Sequence, residues 1–150
     1  MKEYWLTTFE TEHGDFFQDY LTNKSKRFQS LLPDENFWKN YGTAYRHARD
    51  TGKLIIRAKV IDGNKFTLYQ IWDSKAARQE FDSKVDETYF LSNFDKPYTR
   101  KEQTLSEQEK AELFEYILSS NVILQVVRND HRRPGMTVGD PMKNDPVISV

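Results

Sequence analysis

The sequence predicts an α+β fold of the ferredoxin-like type, in which a β-α-β-β-α-β order builds an antiparallel sheet with helices on one face. Residues 53–61 and 65–73 are two β-forming runs around an Asp-Gly-Asn turn at 62–64, which indicates a hairpin. Helical spacing of apolar residues precedes and follows this hairpin. Further β-forming segments lie at 3–9 and 122–127, so the order of elements is complete.

Composition predicts one domain and excludes several kinds of chemistry. The 150 residues suffice for one buried core, assigned to residues 1–130, followed by an extended or disordered C-terminal arm, residues 131–150. The absence of cysteine excludes disulfides, thiolate nucleophiles, zinc–thiolate sites and iron–sulfur clusters. A net charge of -1 argues against a general nucleic-acid-binding protein, which needs a basic excess.

The sequence also carries an expectation about location and partners. No apolar run approaches the ~20 residues of a membrane span. Acidic residues near the N-terminus interrupt any signal-peptide core. We therefore expect a cytoplasmic protein with no membrane partner, no nucleic-acid partner, no metal and no cofactor. A component of a larger assembly would have the same composition.

The N-terminal region predicts one strand and two amphipathic helices. Residues 3–9 alternate as a strand, and residues 15–32 have helical periodicity that ends at Pro33. A second helix follows a capping Asp34 and ends at Gly52. Its expected inner face comprises Phe37, Trp38, Tyr41, Ala44, Tyr45 and Ala48.

The hairpin is expected to bury one face, because one register separates apolar from polar residues. A three-residue loop pairs the strands as Val60 with Phe66, Ala58 with Leu68, Ile56 with Gln70 and Leu54 with Trp72. The expected buried face comprises Leu54, Ala58, Phe66, Leu68 and Trp72. The expected outer face comprises Arg57, Lys59, Thr67 and Tyr69.

The C-terminal half predicts two more helices and a last strand. A helix beginning at Asp73 or Ser74 has a buried stripe every four residues, at Ala77, Phe81, Val85 and Tyr89. Residues 91–101 are expected to be irregular, and Ser106 and Glu109 have capping-box spacing. The helix that follows is expected to bury Leu113, Phe114, Ile117 and Leu118. Residues 122–127 are expected to form the fourth strand, with a helical continuation as the alternative.

The second face of a four-stranded sheet would be exposed unless something covers it. The apolar and aromatic candidates for that face are Trp5, Phe9, Ile55, Tyr69 and Ile71. Exposed apolar area of this extent usually marks an interface, so we expect a homodimer.

The chain resembles the dimeric α+β barrel superfamily, which includes antibiotic-biosynthesis monooxygenases and stress-responsive barrel proteins. The resemblance rests on the opening strand EYWLTTFE, the hairpin strand LYQIWDS and the helix KAARQEF directly after it, within residues 3–90. It implies homodimers whose sheets pack face to face. It also implies, for some members, cofactor-independent oxidation of small aromatic substrates or haem binding. No catalytic residue is carried over to this chain.

A ligand pocket between helices and sheet is the candidate site. Its lining would comprise Tyr41, Tyr45, Arg57, Tyr69 and Trp72. Aromatic walls with a cation suit a small planar aromatic or anionic ligand. His47 is the candidate general base or haem ligand, with a solvent-facing helix position as the alternative.

Two functions are compatible with these features. The first is a structural or interaction module that self-associates through its sheet and grips a neighbour with the arm, whose last residues, PVISV, suit strand addition. The second is a small-molecule enzyme or ligand-binding protein of the barrel type. A filled core at Trp72 and Arg57 favours the module, and an open pocket there favours the enzyme. The sequence contains no recognisable set of catalytic residues, which favours the module.

Overall fold

The computed structural model describes residues 2–14, 35–85, 96–120 and 122–127, with backbone alone at 35–39, 41 and 122–127. The described elements, in chain order, are β1 (Glu3–Thr11), α1 (Glu35–Asp50), β2 (Leu54–Asp62), β3 (Lys65–Trp72), α2 (Lys75–Lys84), β4 (Thr99–Ser106), α3 (Glu107–Ser119) and β5 (Val122–Val127). The five strands form one sheet in the order β4-β1-β3-β2-β5, and all neighbours are antiparallel. The predicted helix at 15–32 and the C-terminal arm at 131–150 lie outside the described residues.

The α+β class and the ferredoxin-like order are confirmed. The first six described elements, β1 to β4, form the β-α-β-β-α-β unit, with α1 and α2 on one face of the sheet. The third helix, α3, lies outside this unit and packs on the opposite face through Phe114 and Ile117. Among the described residues, no helix is both long and apolar enough to cross a membrane.

The prediction of the fourth strand was wrong. Residues 99–106 form β4, which overlaps the stretch expected to be irregular and pairs with β1 from Glu3–Ser106 to Glu10–Thr99. The segment 122–127 is a strand, as predicted, but it is a fifth strand that pairs with β2 at the other edge. The sequence of β4, TRKEQTLS, has no alternation of apolar and polar residues, because most of its side chains are solvent-exposed. Backbone pairing with β1 makes it a strand.

The expectation of a bare second face was also wrong. Ile55 and Ile71 are fully buried, and Tyr69 is partly buried. Trp5 is partly buried on the other face, where its ring centroid lies 5.1 Å from Lys75 Nζ of α2. The apolar cluster that covers the second face comprises Tyr4, Leu6, Ile55, Ile56, Ala58, Val60, Ile71, Leu105, Phe114 and Ile117. Phe9 is buried too, but it lies on the opposite face from Leu6, because the two residues are an odd number of positions apart on β1. Phe9 therefore faces α1 and α2. The helix α3 of the same chain covers the sheet face that was expected to be a dimer interface.

The hairpin forms where predicted, but its register differs by one residue. Asp62 pairs with Lys65, which leaves a two-residue turn at Gly63 and Asn64. Gly63 has a φ of 59°, a left-handed conformation that glycine adopts without a steric penalty. A bulge between Leu54 and Ile56 shifts the register back, so that Leu54 still pairs with Trp72. The one-residue shift places Ala58 opposite Tyr69 and Lys59 opposite Leu68. Ala58 and Leu68, which were expected on one face, therefore lie on opposite faces of the sheet.

Both faces of the hairpin are therefore buried. Leu54, Ala58, Phe66, Leu68 and Trp72 are all buried, but they do not share one face as predicted, because Ala58 lies in the apolar cluster beside α3. Arg57, Lys59 and Thr67, expected to be solvent-facing, are each only 6% exposed. The predicted polar face was wrong because helices pack on both sides of the sheet, so no strand face in its centre meets water.

Three predicted helix boundaries are confirmed, but α2 ends at Lys84 and not beyond Val85 as its predicted stripe required, since Val85 has an extended backbone. The Ser74 side chain accepts a hydrogen bond from Ala77 N at 3.1 Å at the start of α2. Ser106 and Glu109 form a reciprocal capping box at the start of α3. After α1, Gly52 has a φ of 78°. These local signals fix where the helices begin and end.

Gly14→Ala is expected to lower the free energy of unfolding by about 1–3 kcal/mol, because overpacking forces the backbone to shift. Gly14 N donates to Asn64 O at 2.7 Å, and a Cβ at residue 14 would lie 2.6 Å from that oxygen. Urea unfolding measures the change. The control is Gly63→Asn at the hairpin turn, where a Cβ meets nothing within 4 Å and Asn tolerates positive φ. If both variants lose the same stability, the close approach at Gly14 is not what matters.

Candidate functional site

A row of polar side chains crosses the centre of the sheet beneath α1 and α2. Thr7 on β1 pairs with Gln70 on β3, and Gln70 pairs in turn with Arg57 on β2. Directly opposed residues point to the same face of a sheet, so all three side chains face the helices. Tyr45 from α1 and Arg78 from α2 meet this row. We name these five residues and Trp72 the polar cluster, which comprises Thr7, Tyr45, Arg57, Gln70, Trp72 and Arg78.

Gln70 is the hub of the polar cluster. Its Nε2 donates to the Tyr45 hydroxyl, and its Oε1 accepts from Arg78 Nη1. The same Oε1 accepts from Thr7 Oγ1 at 2.8 Å. Thr7 Oγ1 in turn accepts from Trp72 Nε1 at 3.3 Å and from Arg78 Nη1 at 3.5 Å. One side-chain amide therefore links both helices to the sheet.

The two arginines of the cluster lie against aromatic rings. Arg57 Cζ is 4.7 Å from the centroid of the Tyr45 ring. Arg78 Cζ is 5.4 Å from the Trp72 ring and 5.2 Å from the Phe81 ring. Cation–π contacts of this kind strengthen when they are removed from water. Arg78 Nε also lies 3.0 Å from Asp82 Oδ1, in an i,i+4 ion pair on α2.

The aromatic rings fill the space that the sequence suggested as a pocket. Tyr45 and Trp72 have no exposed surface, and Phe81 is buried between them. The ring centroids of Tyr45 and Phe81 are 4.5 Å apart, and those of Trp72 and Phe81 are 5.1 Å apart. Gln70, which lies beneath these rings, is only 2% exposed.

The electrostatic character of this layer is basic. All the buried charged side chains among the described residues are cations, namely Arg57, Lys59 and Arg78. Guanidinium groups and an amide are donors suited to carboxylate or phosphate oxygens. The polar cluster itself contains no carboxylate or imidazole, so it includes no ordinary general base. Its side chains can bind an anionic group, or they can join the two helices to the sheet.

Three of the six predicted site residues come together. Tyr45, Arg57 and Trp72 belong to the polar cluster. Tyr69 lies on the opposite face, beside α3, with its ring 6.3 Å from that of Tyr116. Its pKa is raised to about 12, first by burial and then by Tyr116. His47 is exposed on α1 and does not meet the cluster, and the side chain of Tyr41 lies outside the described residues.

Sequence reasoning missed Thr7, Gln70 and Arg78. Gln70 was assigned opposite Ile56, because the register was displaced by one residue. The sequence does contain a signal for Gln70. In the run Leu68–Trp72 it is the only residue without an apolar or aromatic side chain, which marks it as a candidate buried polar group. Arg78 is adjacent in sequence to Ala77 and lies on α2 between Ala77 and Phe81, which were both predicted to be buried. This position could have indicated that Arg78 is buried as well.

A concave feature lies where β4 passes into α3. It has a volume of about 440 Å³ and is lined by Lys2, Glu3 and residues 104–109. The Tyr4 hydroxyl donates to Glu107 Oε2 at 2.7 Å, and this bond is the main cause that lowers the pKa of the Glu107 carboxyl. The capping box already occupies the start of α3. Within the described ranges, no group of three or more His, Asp or Glu side chains could hold a metal ion.

Comparison with known proteins finds no matching family model, no matching curated protein and no matching solved structure. The fold and the polar cluster are therefore the evidence on function. The resemblance to the dimeric α+β barrel superfamily stays a prediction.

Proposed function

We propose that this protein is a structural or interaction module that self-associates. The observation that carries the proposal is the filled layer between the sheet and its two helices. Tyr45 and Trp72 are fully buried there, and Gln70 bonds to both helices through Tyr45 and Arg78. Buried hydrogen bonds that join elements distant in the chain hold those elements in one packing arrangement. Among the described residues, the rings of Tyr45, Trp72 and Phe81 fill this layer, and such a filled layer suits a scaffold.

Self-association would use the sheet edges and the C-terminal arm. Helices pack on both faces of the sheet, and β4 and β5 are the edge strands of the described sheet. The arm ends in the β-prone run PVISV, which suits strand addition to a neighbouring subunit. A segment with three prolines and so few apolar residues cannot order itself without such a surface.

Deleting residues 134–150 is expected to weaken assembly while the melting temperature changes by only a few degrees. Light scattering at micromolar concentration measures the mass of the full chain and of the truncated chain. The full chain should have twice the mass of the 17.8 kDa monomer, and the truncated chain should shift towards monomer. A monomeric full chain would refute self-association. A truncated chain that unfolds yet keeps its oligomeric state would place the arm in the core.

A second candidate is a protein of the barrel type that binds haem or a small aromatic anion, or that oxidises such a molecule without a cofactor. The observation in its favour is the set of buried cations beside aromatic rings, with Arg57 against Tyr45 and Arg78 against Trp72. Salicylate and benzoate are suitable probes, together with haemin. A rise in melting temperature with salicylate that disappears in Arg57→Met would favour this candidate over the module.

A further inference from the structure

The two edges of the sheet differ in how well they resist pairing with another strand. The sequence of β4 includes Arg100, Lys101 and Glu102, and the latter two are exposed. The sequence of β5, VILQVV, has no charge. Charged residues on an edge strand oppose the addition of another strand, and an uncharged edge invites it. Among the described strands, β5 pairs only with β2, so its other edge faces no described strand.

The chain continues beyond β5 for long enough to reach a neighbour. The 19 residues 128–146 separate β5 from the last four residues, Val147–Val150. Fully extended, they could span about 60 Å, whereas a domain of this size has a diameter of roughly 35–40 Å. This connection contains Pro134, Pro141 and Pro146. Proline fixes φ and cannot continue a helix.

We propose that the outer edge of β5 receives Val147–Val150 of a second copy as an added strand. This inference rests on the proposed self-association and names the two surfaces that meet. The added residues supply backbone N–H and C=O groups for the ladder, and the uncharged side chains of both strands lower the cost of desolvation. Exchange of the two arms between two copies forms a closed, two-fold assembly, because each copy supplies one edge and one arm.

Cysteine cross-linking tests the pairing directly, because the natural chain contains no cysteine. The test variant carries Gln125→Cys on β5 and Ile148→Cys on the arm. The matched control carries Gln103→Cys on β4, the other edge, with the same Ile148→Cys. Paired strands bring Cα atoms within the 4.4–6.8 Å that a disulfide spans. Val147→Cys and Ser149→Cys in place of Ile148→Cys sample the neighbouring registers.

Mild oxidation with glutathione disulfide should convert the Gln125 variant mainly to a covalent dimer on a non-reducing gel. The Gln103 control should form no more dimer than either single variant. If the full chain assembles but the Gln125 variants cross-link no better than the control, the edge assignment fails while self-association stands. A full chain that is monomeric and forms no cross-link refutes both.

Two further outcomes would overturn the inference in distinguishable ways. A disulfide formed within one chain gives a monomeric band without free thiols, and it would mean that the arm returns to its own β5. Efficient cross-linking of the single Gln125→Cys variant to itself would mean that β5 of the second copy, and not its arm, occupies the edge.

Discussion

Trp72→Ala is expected to cost about 3–5 kcal/mol of unfolding free energy, the range for deleting a large buried aromatic side chain. Trp72 has no exposed surface and packs against Phe81 at a centroid distance of 5.1 Å. Its indole also donates to Thr7 Oγ1 and faces the guanidinium of Arg78. The substitution therefore leaves a cavity and removes a donor from the polar cluster. Chemical denaturation followed by circular dichroism measures the loss.

Tyr116→Ala is the control for the loss of an aromatic ring. Tyr116 lies on α3 and is 53% exposed, so its removal should cost less than about 1 kcal/mol. Stability of Trp72→Ala equal to that of Tyr116→Ala would contradict the burial of Trp72. A large loss in both variants would instead indicate that Tyr116 is covered in solution, as it would be in an assembly.

Gln70→Leu should lower stability by about 2–4 kcal/mol, although leucine has a similar size and is more apolar. The reason is that buried donors lose their partner, and each orphaned polar group costs roughly 1–3 kcal/mol. The Gln70 side chain bonds to the Tyr45 hydroxyl, Thr7 Oγ1 and Arg78 Nη1. Both helices above the sheet should loosen, so hydrogen exchange in α1 and α2 should increase as well.

Gln70→Glu distinguishes the lost hydrogen bonds from altered packing. A carboxylate at residue 70 can accept from Tyr45, Thr7 and Arg78, and the nearby guanidinium favours its charged form. This variant should therefore keep most of the stability that Gln70→Leu loses. Because the pKa of that carboxyl would be depressed, its contribution should be present at neutral pH and disappear as the pH falls through the folded-state pKa. Identical stability of the two variants across this pH range would refute the hub role of Gln70.

Elements with local signals were predictable from the sequence. The hairpin turn at Gly63, the Ser74 cap and the capping box of Ser106 and Glu109 each involve residues within a few positions of one another. A cap or a turn is decided by neighbours along the chain, so the amino-acid order alone carries the information. The same holds for the apolar stripes, which predicted the buried residues Ala77 and Phe81 of α2 and Phe114 and Ile117 of α3.

The candidate site was predictable only in part. Aromatic and basic residues near the hairpin suggested Tyr45, Arg57 and Trp72 as neighbours, and they are. Gln70 and Thr7 could not be added, because their meeting depends on the register of β3 against β1 and β2. A shift of one residue reverses which face a side chain occupies.

What the sequence determined by itself is the α+β class, the order of the elements other than β4, and most of the residues that are buried. What the tertiary structure decided is which surfaces those elements share. β4 is a strand because β1 offers it a ladder, and not because TRKEQTLS favours extended structure. Arg57 and Lys59 are buried because helices lie on both faces of the sheet. Strand pairing and layer packing join residues far apart in the chain, and their energies depend on partners that no local pattern identifies.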